Sequence, residues 1–268
     1  MNRARWLRFA VLPLLLAGGV VAAQDGGLSQ SCASRYRGIG LPKYLGDDPP
    51  NHTLVCRSGY VLSHNNETKM PDWVLEELTP ARFDGPGDRD QSSFGPDPAL
   101  LAQGTPVSVD SDYKGTGFDR GHMAPAADMK PSQQMMDESH YLSNIAPQVG
   151  IGFNRHIWAE LEAAVRDWTE HRGKVIVITG PIYDDTDRVM KGSDIPVPPR
   201  FYKIVYEPGR KRAIAFILPN EKIAGRKLEP FLKSVDEVEE ATGIDFLSAL
   251  DNRIERRIER NQPQMWTR

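Results

Sequence analysis

The sequence predicts an α+β protein in which a central, mainly antiparallel sheet is flanked by helices. Residues 174–179 (Lys-Val-Ile-Val-Ile-Thr) are rich in β-branched residues, which is typical of a central strand. Residues 201–206 and 212–218 flank Pro208 and Gly209, as the two strands of a hairpin do. From residue 154 to about residue 172, apolar side chains recur every three or four positions, which indicates a helix with one buried face. Hairpins make antiparallel sheets, and a one-faced helix packs against such a sheet.

The first half of the chain supplies the other predicted strands. Residues 53–62 alternate apolar and polar side chains as a strand does, Asn65 and Asn66 indicate a turn, and residues 71–78 form a second strand or an edge segment. Residues 80–112 carry several Pro, Gly and Asp and predict a long loop, which contains Arg89. Residues 132–141 are predicted to be helical, and residues 142–148 extended.

The second half begins with the helix from residue 154, for which Gly150 and Gly152 form a preceding turn and Gly173 is the stop. Ser234 and Glu237 form a capping box at the start of a further helix, and Gly243 ends it. Residues 244–250 are predicted to form another short helix. The strongly charged tail from residue 252 is predicted to be exposed.

The first 23 residues have the pattern of a secretory signal peptide. Three arginines precede an uncharged apolar run that ends in the small residues Val21, Ala22 and Ala23. That run is shorter than the roughly 20 residues that a membrane span needs. An uncleaved anchor and a mitochondrial presequence are the alternatives. We therefore expect a secreted or periplasmic protein with three parts: signal peptide 1–23, an irregular N-terminal arm 24–52, and a main domain 53–268.

Composition and charge limit the class of protein. The chain is 40% hydrophobic and 26% charged, as a packed globular protein is. Removing residues 1–23 removes three of 33 basic residues and none of the 36 acidic ones, which moves the formal charge from −3 to −6. That balance argues against a protein that coats nucleic acid through a broad basic face. It does not exclude an enzyme that binds a few phosphates locally.

The chain has two cysteines, Cys32 and Cys56. In an exported protein such a pair is expected to form a disulfide. Closing that loop would stabilise the fold by roughly 3 kcal/mol in the chain-entropy model. Two unpaired buried thiols are the alternative.

The segment 119–125 (Asp-Arg-Gly-His-Met-Ala-Pro) is the strongest candidate for chemistry. It places the imidazole of His122 beside the guanidinium of Arg120, with a glycine that permits a bend or the close approach of a ligand. Arginine binds a phosphate through two hydrogen bonds, and histidine accepts a proton near neutral pH. The alternatives are a histidine that only forms structural hydrogen bonds and an Asp–Arg salt bridge.

Three polar residues on the predicted helix could join this segment. Glu162 lies two turns beyond Asn154, about 80° further round an ideal helix, so the two lie toward one side of it. Arg166 is four residues past Glu162. The alternatives are structural: Asn154 is a good helix N-cap, and Glu162 with Arg166 is an ordinary i,i+4 pair.

Taken together, these segments resemble the DNA/RNA non-specific endonucleases, a family that includes mitochondrial endonuclease G and secreted bacterial nucleases. The resemblance rests on residues 119–123, on residues 143–148, and on Asn154 with Trp158 and Glu162. It extends from about residue 56 to residue 250. The linker between its two asparagines, Asn144 and Asn154, is one residue longer than is common in the family. The implied fold is the ββα-metal (His-Me finger) nuclease fold.

The resemblance also implies roles for the centre of the site. His122 would be the general base that activates water. Asn154 would be the one protein ligand of a Mg²⁺ ion, for which Mn²⁺ is a substitute, and Glu162 would hold one of the ion's waters.

The remaining roles concern the phosphate and the support of the motif. Arg120 would contact the phosphate, Arg166 would assist from the helix, and Arg89 resembles an upstream phosphate-binding arginine. Asn144 would orient the motif. The other histidines (His52, His64, His140, His156 and His171) are interpreted as surface or packing residues, because none has comparable surroundings.

These roles predict a Mg²⁺-dependent endonuclease that hydrolyses DNA and RNA and leaves 5′-phosphate ends. A hard cation with oxygen ligands neutralises charge on the phosphate and the leaving oxygen. A site that touches only phosphate and metal reads no bases. The expected partners are DNA and RNA substrates, with a homodimer as a candidate assembly and no membrane contact once the signal peptide is removed. The alternatives are a phosphodiesterase for a smaller substrate and a catalytically inactive nucleic-acid-binding module.

Overall fold

The computed structural model describes residues 34–46, 49–183, 188–260 and 264–267. The predicted signal peptide and Cys32, the expected disulfide partner of Cys56, lie outside these ranges. Residues 34–46 belong to the predicted arm, and there Tyr36 and Ile39 are buried against the rest of the protein. No helix within the described ranges has both the length and the apolar character needed to cross a bilayer.

A seven-stranded antiparallel sheet forms the centre of the molecule. Seven of the eleven strands in the described residues belong to this sheet. In chain order the eleven strands are β1 (Lys43–Tyr44), β2 (His52–Cys56), β3 (Tyr60–Asn65), β4 (Met70–Leu78), β5 (Phe118–His122), β6 (Ile145–Val149), β7 (Val175–Ile182), β8 (Arg200–Glu207), β9 (Arg212–Pro219), β10 (Leu232–Lys233) and β11 (Ile244–Asp245). The order in the sheet is β10-β9-β8-β7-β4-β3-β2, and β1–β11 and β5–β6 form two separate antiparallel pairs. The predicted α+β class, the hairpin and the central strand at 174–179 are confirmed.

Six α-helices surround the sheet. They are α1 (Pro98–Ala102), α2 (Asp110–Tyr113), α3 (Gln133–Ser139), α4 (Ala159–Arg172), α5 (Val235–Thr242) and α6 (Asn252–Glu259), counted within the described ranges. The predicted capping box is present: the Ser234 hydroxyl accepts from the Glu237 amide, and the Glu237 carboxylate accepts from the Ser234 amide. Gly243 ends α5 in the left-handed region, at φ 68°.

The sheet separates two hydrophobic layers. All eight residues of β7 are buried, because successive side chains enter opposite layers. Val175 and Val177 face the layer that contains Trp158, Leu161 and other residues of α4. Ile176 and Ile178 face the layer beneath α5 and α6. The sheet therefore places the segment 119–125 and α4 on one side, and α5 and α6 on the other.

Three predictions about secondary structure are wrong. Residues 53–62 are not one strand, because the chain turns at Arg57 and Ser58 between β2 and β3. Residues 244–250 are not a helix: β11 pairs with β1, and irregular turns follow it. The charged tail is not wholly exposed, because it forms α6 and buries Ile258 against the layer beneath that helix.

The hairpin β5–β6 and the segment that follows it position the candidate site. Gly121 lies opposite Ala146, and His122 opposite Ile145, at the end of β5. After β6 the chain is wound as a wide π-helix over Gly150–Trp158, in which Ile151 and Gly152 depart from helical geometry, before α4 continues. Asn154 therefore lies within a π-helical turn rather than at an α-helix N-cap. Wide turns of this kind are frequent at functional sites.

Candidate active site

A cleft of about 540 Å³ opens between β5, the π-helical segment and the loop at residues 80–112. Five of the predicted site residues line it: Arg89, Arg120, His122, Asn154 and Glu162. Their side chains come from four parts of the chain, and no sequence spacing relates Arg89 to the others. Asn144 and Arg166 do not line the cleft. Asn144 instead binds Met123 and Ala124, the two residues that follow His122, and Arg166 binds the buried Asp128.

His122 lies in the cleft wall with a nearly enclosed ring. Its ring centroid is 5.4 Å from that of Phe94 and 5.1 Å from that of His140. Nε2 is fully buried and has no hydrogen-bond partner within the described residues, so Nδ1 is the less enclosed nitrogen. Burial first, and then His140 and Arg89, lower the pKa of His122 well below 6.5. The imidazole is therefore neutral at pH 7 and able to accept a proton.

Asn144 fixes the chain immediately after His122. Its side-chain amide accepts a hydrogen bond from the Ala124 amide at 2.9 Å, and donates to the carbonyls of Ala124 and Ser139, each at 2.9 Å. Its backbone carbonyl accepts from the Met123 amide at 2.9 Å. The side chain is completely buried. Four hydrogen bonds from one residue leave the backbone beside His122 little freedom.

Asn154 is oriented by Asp119, which directly precedes Arg120. Asn154 Nδ2 donates to Asp119 Oδ2 at 2.9 Å, and Arg155 Nε donates to the same oxygen at 2.7 Å. Burial alone would raise the pKa of the Asp119 carboxyl, but these hydrogen bonds outweigh it and lower the pKa. The ionised carboxylate can only accept, so it selects the Nδ2 side of the Asn154 amide. The Oδ1 of Asn154 is thereby left for another ligand.

Two glycines allow this close packing. A Cβ atom on Gly150 would lie 2.8 Å from an oxygen of Asp119. A Cβ atom on Gly121 would overlap the side-chain amide of Gln148, which is fully buried. Gly121 lies in a regular strand. The bend or close ligand approach suggested by the sequence therefore does not explain why a glycine is needed there. It is required because Gln148 packs across β5.

Replacing Gly121 by alanine is therefore expected to destabilise the protein by about 1–3 kcal/mol, the usual cost of overpacking a tight interior. Cleavage of nucleic acid should also fall, since His122 is the next residue. Urea unfolding measures the first effect. Gly209→Ala is the matched control, because a Cβ atom there meets nothing within 4 Å. Equal unfolding free energies for the two variants would contradict the packing argument.

Glu162 lies at the floor of the cleft, above a group of buried charges. Burial raises the pKa of its carboxyl to about 7, while Lys203 acts in the opposite direction. The Lys203 ammonium donates to the Thr179 hydroxyl at 2.7 Å and lies 5.0 Å from the centroid of the Trp158 ring. Within the described ranges, no hydrogen-bond donor contacts the Glu162 carboxylate. Its oxygens are therefore free for a ligand in the cleft.

Arg166 belongs to the layer beneath. Its Nη1 donates to the buried Asp128 carboxylate at 3.1 Å. Burial raises the pKa of Asp128, and Arg166 opposes that rise. Arg166 thus neutralises an acid close to Glu162 rather than reaching into the cleft, so the i,i+4 pair considered from the sequence is not formed.

The two predicted phosphate-binding arginines of the cleft, Arg89 and Arg120, differ in how many protein groups their guanidinium contacts. Arg120 Nη2 donates to the carbonyl of Asp110 at 3.1 Å and also pairs with its carboxylate, while the guanidinium lies between the rings of Phe94 and Tyr113. Arg89 is exposed and forms no ion pair with any described residue. Arg89 is therefore the more available guanidinium for an incoming phosphate.

The donor set fits a hard divalent cation. The Asn154 Oδ1 and the Glu162 carboxylate are oxygen donors on the cleft surface, and the described residues offer them no hydrogen bonds. The cleft holds no convergent set of three His, Cys, Asp or Glu side chains among the residues described. This excludes from the described part of the cleft a zinc site built from several such ligands, and suits Mg²⁺, which keeps most of its waters.

Sequence reasoning missed several residues that shape the site. Asp119 was recognised as part of the motif, but its role in orienting Asn154 was not predicted. Its position directly before Arg120 was the only sequence signal for that role. His140 was interpreted as a packing residue without comparable surroundings, yet its ring packs against His122. Phe94 and Lys203 gave no signal, because a loop phenylalanine and a lysine in a strand pattern are ordinary features.

Known proteins that are similar to this chain are nucleases. A family model for DNA/RNA non-specific endonucleases matches residues 44–253. Nuclease C1 of Cunninghamella echinulata var. echinulata is 41% identical over 223 residues, which cover 77% of this chain and 87% of that protein. Mitochondrial endonuclease G of Homo sapiens is 34% identical over 208 residues, covering 72% and 69%. A chain from the crystal structure of the EndoG/EndoGI complex superposes with a TM-score of 0.70 at 31% identity, covering 82% of this chain and 93% of that one.

Proposed function

Because the chain belongs to the DNA/RNA non-specific endonuclease family and is a nuclease, we propose that it is a Mg²⁺-dependent, sugar-non-specific endonuclease. Its products would be 5′-phosphate ends. The fold is the ββα-metal nuclease fold. The observation that carries the proposal is the single cleft in which a neutral His122 faces the same space as Asn154 and Glu162.

In this proposal His122 takes a proton from the attacking water through Nδ1, the less enclosed ring nitrogen. Asn154 would hold the cation through Oδ1, and Glu162 would hold one of its waters. When bound, the cation supplies positive charge to the phosphate and the leaving 3′ oxygen, and Mn²⁺ is a plausible substitute on charge and oxygen preference. Arg89 binds the phosphate, because its guanidinium has no other partner among the described residues.

Other residues hold these groups in place. Asp119 keeps the Asn154 amide in one orientation, and Asn144 fixes the backbone next to His122. Arg120, held by Asp110, contributes positive charge to the cleft wall and has a remaining nitrogen for the phosphate. Arg166 acts through Asp128 on the charge near Glu162.

Broad substrate choice is part of the proposal. The side chains assigned to the substrate bind phosphate or the cation and none reads a base edge, so DNA and RNA are both expected substrates. Secretion or export to the periplasm, residues 53–268 as the nuclease domain, and the Cys32–Cys56 disulfide are proposed on the sequence pattern described above. A homodimer is the candidate assembly.

A digest of supercoiled plasmid and of RNA by the purified protein tests the activity. We expect Mg²⁺ to support internal cleavage of both, and a chelator to abolish it. Bis(4-nitrophenyl) phosphate in place of nucleic acid separates the small-substrate phosphodiesterase from the nuclease. Binding of DNA without cleavage in Mg²⁺ would instead identify an inactive binding module.

The Mg²⁺ requirement is expected to depend on pH. The carboxyl of Glu162 has a pKa of about 7, so it keeps its proton at pH 6 and has lost it at pH 8. Metal binding must displace that proton, so the Mg²⁺ concentration for half-maximal cleavage should be about tenfold higher at pH 6 than at pH 8. His122, with its pKa well below 6.5, stays neutral over most of this range.

Cleavage rates at a series of Mg²⁺ concentrations and pH values measure this dependence. Glu162→Gln has no proton to displace, and should require more Mg²⁺ at every pH with no change between pH 6 and pH 8. A wild-type Mg²⁺ requirement that is the same at both pH values would show that Glu162 does not act on the cation.

A further inference from the structure

Five carboxylates converge on the side of the sheet opposite the cleft. Three of them, Asp236, Glu239 and Glu259, bring oxygen atoms within 4.8 Å of one another. Asp245, Glu255 and Glu259 form a second such set. Glu259 belongs to both, so it is the centre of the cluster. The five residues come from α5, β11 and α6, which pack on the second hydrophobic layer.

Glu259 is buried without a partner. Its side chain is only 7% exposed, and no described residue donates a hydrogen bond to it or forms an ion pair with it. Burial first, and then Glu239, Glu255 and the two aspartates, raise its pKa to about 8. A buried carboxylate that faces only other carboxylates is strongly unfavourable unless a proton or a cation compensates it.

The basic side chains nearby reach only the edge of the cluster. Arg260 Nε lies 3.7 Å from an Asp236 oxygen. Lys43 is opposite Asp245 in the β1–β11 pair; burial raises the pKa of Asp245, and Lys43 opposes that rise. Arg256 acts on Glu255. The largest influences on the pKa of Glu259 are burial and the four other acids of the cluster, so negative charge dominates its centre.

We propose that this cluster binds one hard divalent cation of the Ca²⁺ class, with Glu259 as the central ligand. Ca²⁺ takes six to eight oxygen ligands at about 2.3–2.6 Å, so two ligands on opposite sides of the ion are about 4.8 Å apart. Mutual oxygen distances within 4.8 Å therefore match a Ca²⁺ shell without large movement. Mg²⁺ demands a tighter octahedron at about 2.0–2.1 Å and retains several waters, which fits five converging carboxylates less well.

The role of this ion is structural. It joins α5, β11 and α6, and it removes the repulsion among their acids. The sheet lies between this cluster and the cleft, so the ion acts on stability and not on the cleavage step. The inference therefore stands independently of the proposed nuclease mechanism.

Thermal unfolding of the full-length, chelator-treated protein tests the proposal. Ca²⁺ is expected to raise the Tm by several degrees, more than the same concentration of Mg²⁺ does. Glu259→Gln should remove this rise while leaving the Tm of the metal-free protein equal or higher, because it removes one of several like charges. Asn154→Ala should keep the full rise, since the cleft is not involved.

Glu240→Gln is the matched control, because Glu240 is exposed on α5, the helix that carries Asp236 and Glu239, and lies outside the cluster. It should respond to Ca²⁺ as the wild type does. If Glu259→Gln fails to fold, Glu255→Gln and calorimetric titration of Ca²⁺ into the Asn154→Ala protein take its place, with a stoichiometry of one expected.

Three results would overturn the proposal. The first is a Tm that Ca²⁺ leaves unchanged, which would mean that shared protons alone compensate the acids. The second is a Ca²⁺ response that survives in Glu259→Gln. The third is a response lost in Asn154→Ala, which would assign the ion to the cleft.

Discussion

Replacing His122 by alanine is expected to lower the rate of DNA cleavage by about 10²–10⁴-fold, the usual contribution of a positioned general base. The reason is the state of the ring. His122 is neutral at pH 7 because burial, His140 and Arg89 lower its pKa, and a neutral ring nitrogen faces the cleft. Alanine would leave the proposed phosphate and cation sites in place but would supply no base. Cleavage of a fluorescent oligonucleotide under single-turnover conditions measures the loss.

Two controls separate chemistry from folding in this variant. His171→Ala removes an exposed histidine near the end of α4 and should keep the wild-type rate. Added imidazole, which can enter the space left by the His122 ring, should restore part of the activity of His122→Ala. A His122→Ala protein that cleaves at the wild-type rate, with an unchanged Tm, would refute the assignment of the base.

Replacing Asn154 by alanine is expected to have the second largest effect. We predict a loss of about 100-fold or more in rate, with a much higher Mg²⁺ concentration for half-maximal cleavage. Losing even an outer-shell partner of a metal typically costs about 10–100-fold, and Asn154 is the proposed direct ligand. Removal of the amide also leaves Asp119 with Arg155 as its one remaining side-chain donor among the described residues. Cleavage rates over a Mg²⁺ titration measure both effects.

The isosteric variant gives a sharper result. Asn154→Asp keeps an oxygen for the cation but loses the Nδ2 donor, and it places a second carboxylate against Asp119. It should therefore fail to restore activity. The exchange Asp119→Asn with Asn154→Asp returns one amide and one carboxylate to the contact and should recover part of the rate. An Asn154→Ala protein with an unchanged Mg²⁺ titration would exclude Asn154 as the ligand.

Local pattern was sufficient for much of the fold. The β-branched run at 174–179, the hairpin around Pro208 and the Ser234 capping box all describe interactions between near neighbours in the chain, and all are present. The helix expected at residues 244–250 is absent because β11 pairs with β1, more than 190 positions earlier. Such a pairing leaves no local signal. The burial of Ile258 was not predicted, because the many charged residues of the tail make the apolar face of α6 hard to recognise in the sequence.

The candidate site shows the same division. The motif placed His122, Asn154 and Glu162 in one cleft, because the ββα hairpin and helix are contiguous in the chain. The contacts that tune them are not contiguous. Asp119 reaches Asn154 across 35 positions, and Lys203 comes from a distant strand. The ion pair between Arg120 and Asp110 could not be predicted from the sequence, because two residues ten positions apart across a loop have no regular geometry.

The π-helical turn links a sequence detail to the site. The linker from Asn144 to Asn154 contains the two residues that depart from helical geometry, Ile151 and Gly152. Helical geometry resumes after them, and Asn154 lies against Asp119. The helix predicted from residue 154 to about residue 172 is present, with α4 over Ala159–Arg172 and a wider winding before it.

The most direct test of the account is a crystal structure of His122→Ala with Mg²⁺ and a short DNA duplex. We predict a single Mg²⁺ in the cleft, with Asn154 Oδ1 as its one direct protein ligand and waters in most other positions. One phosphate should bind between that ion and the position of the missing imidazole. A cation held by other side chains, or a phosphate bound away from residues 122 and 154, would contradict the account.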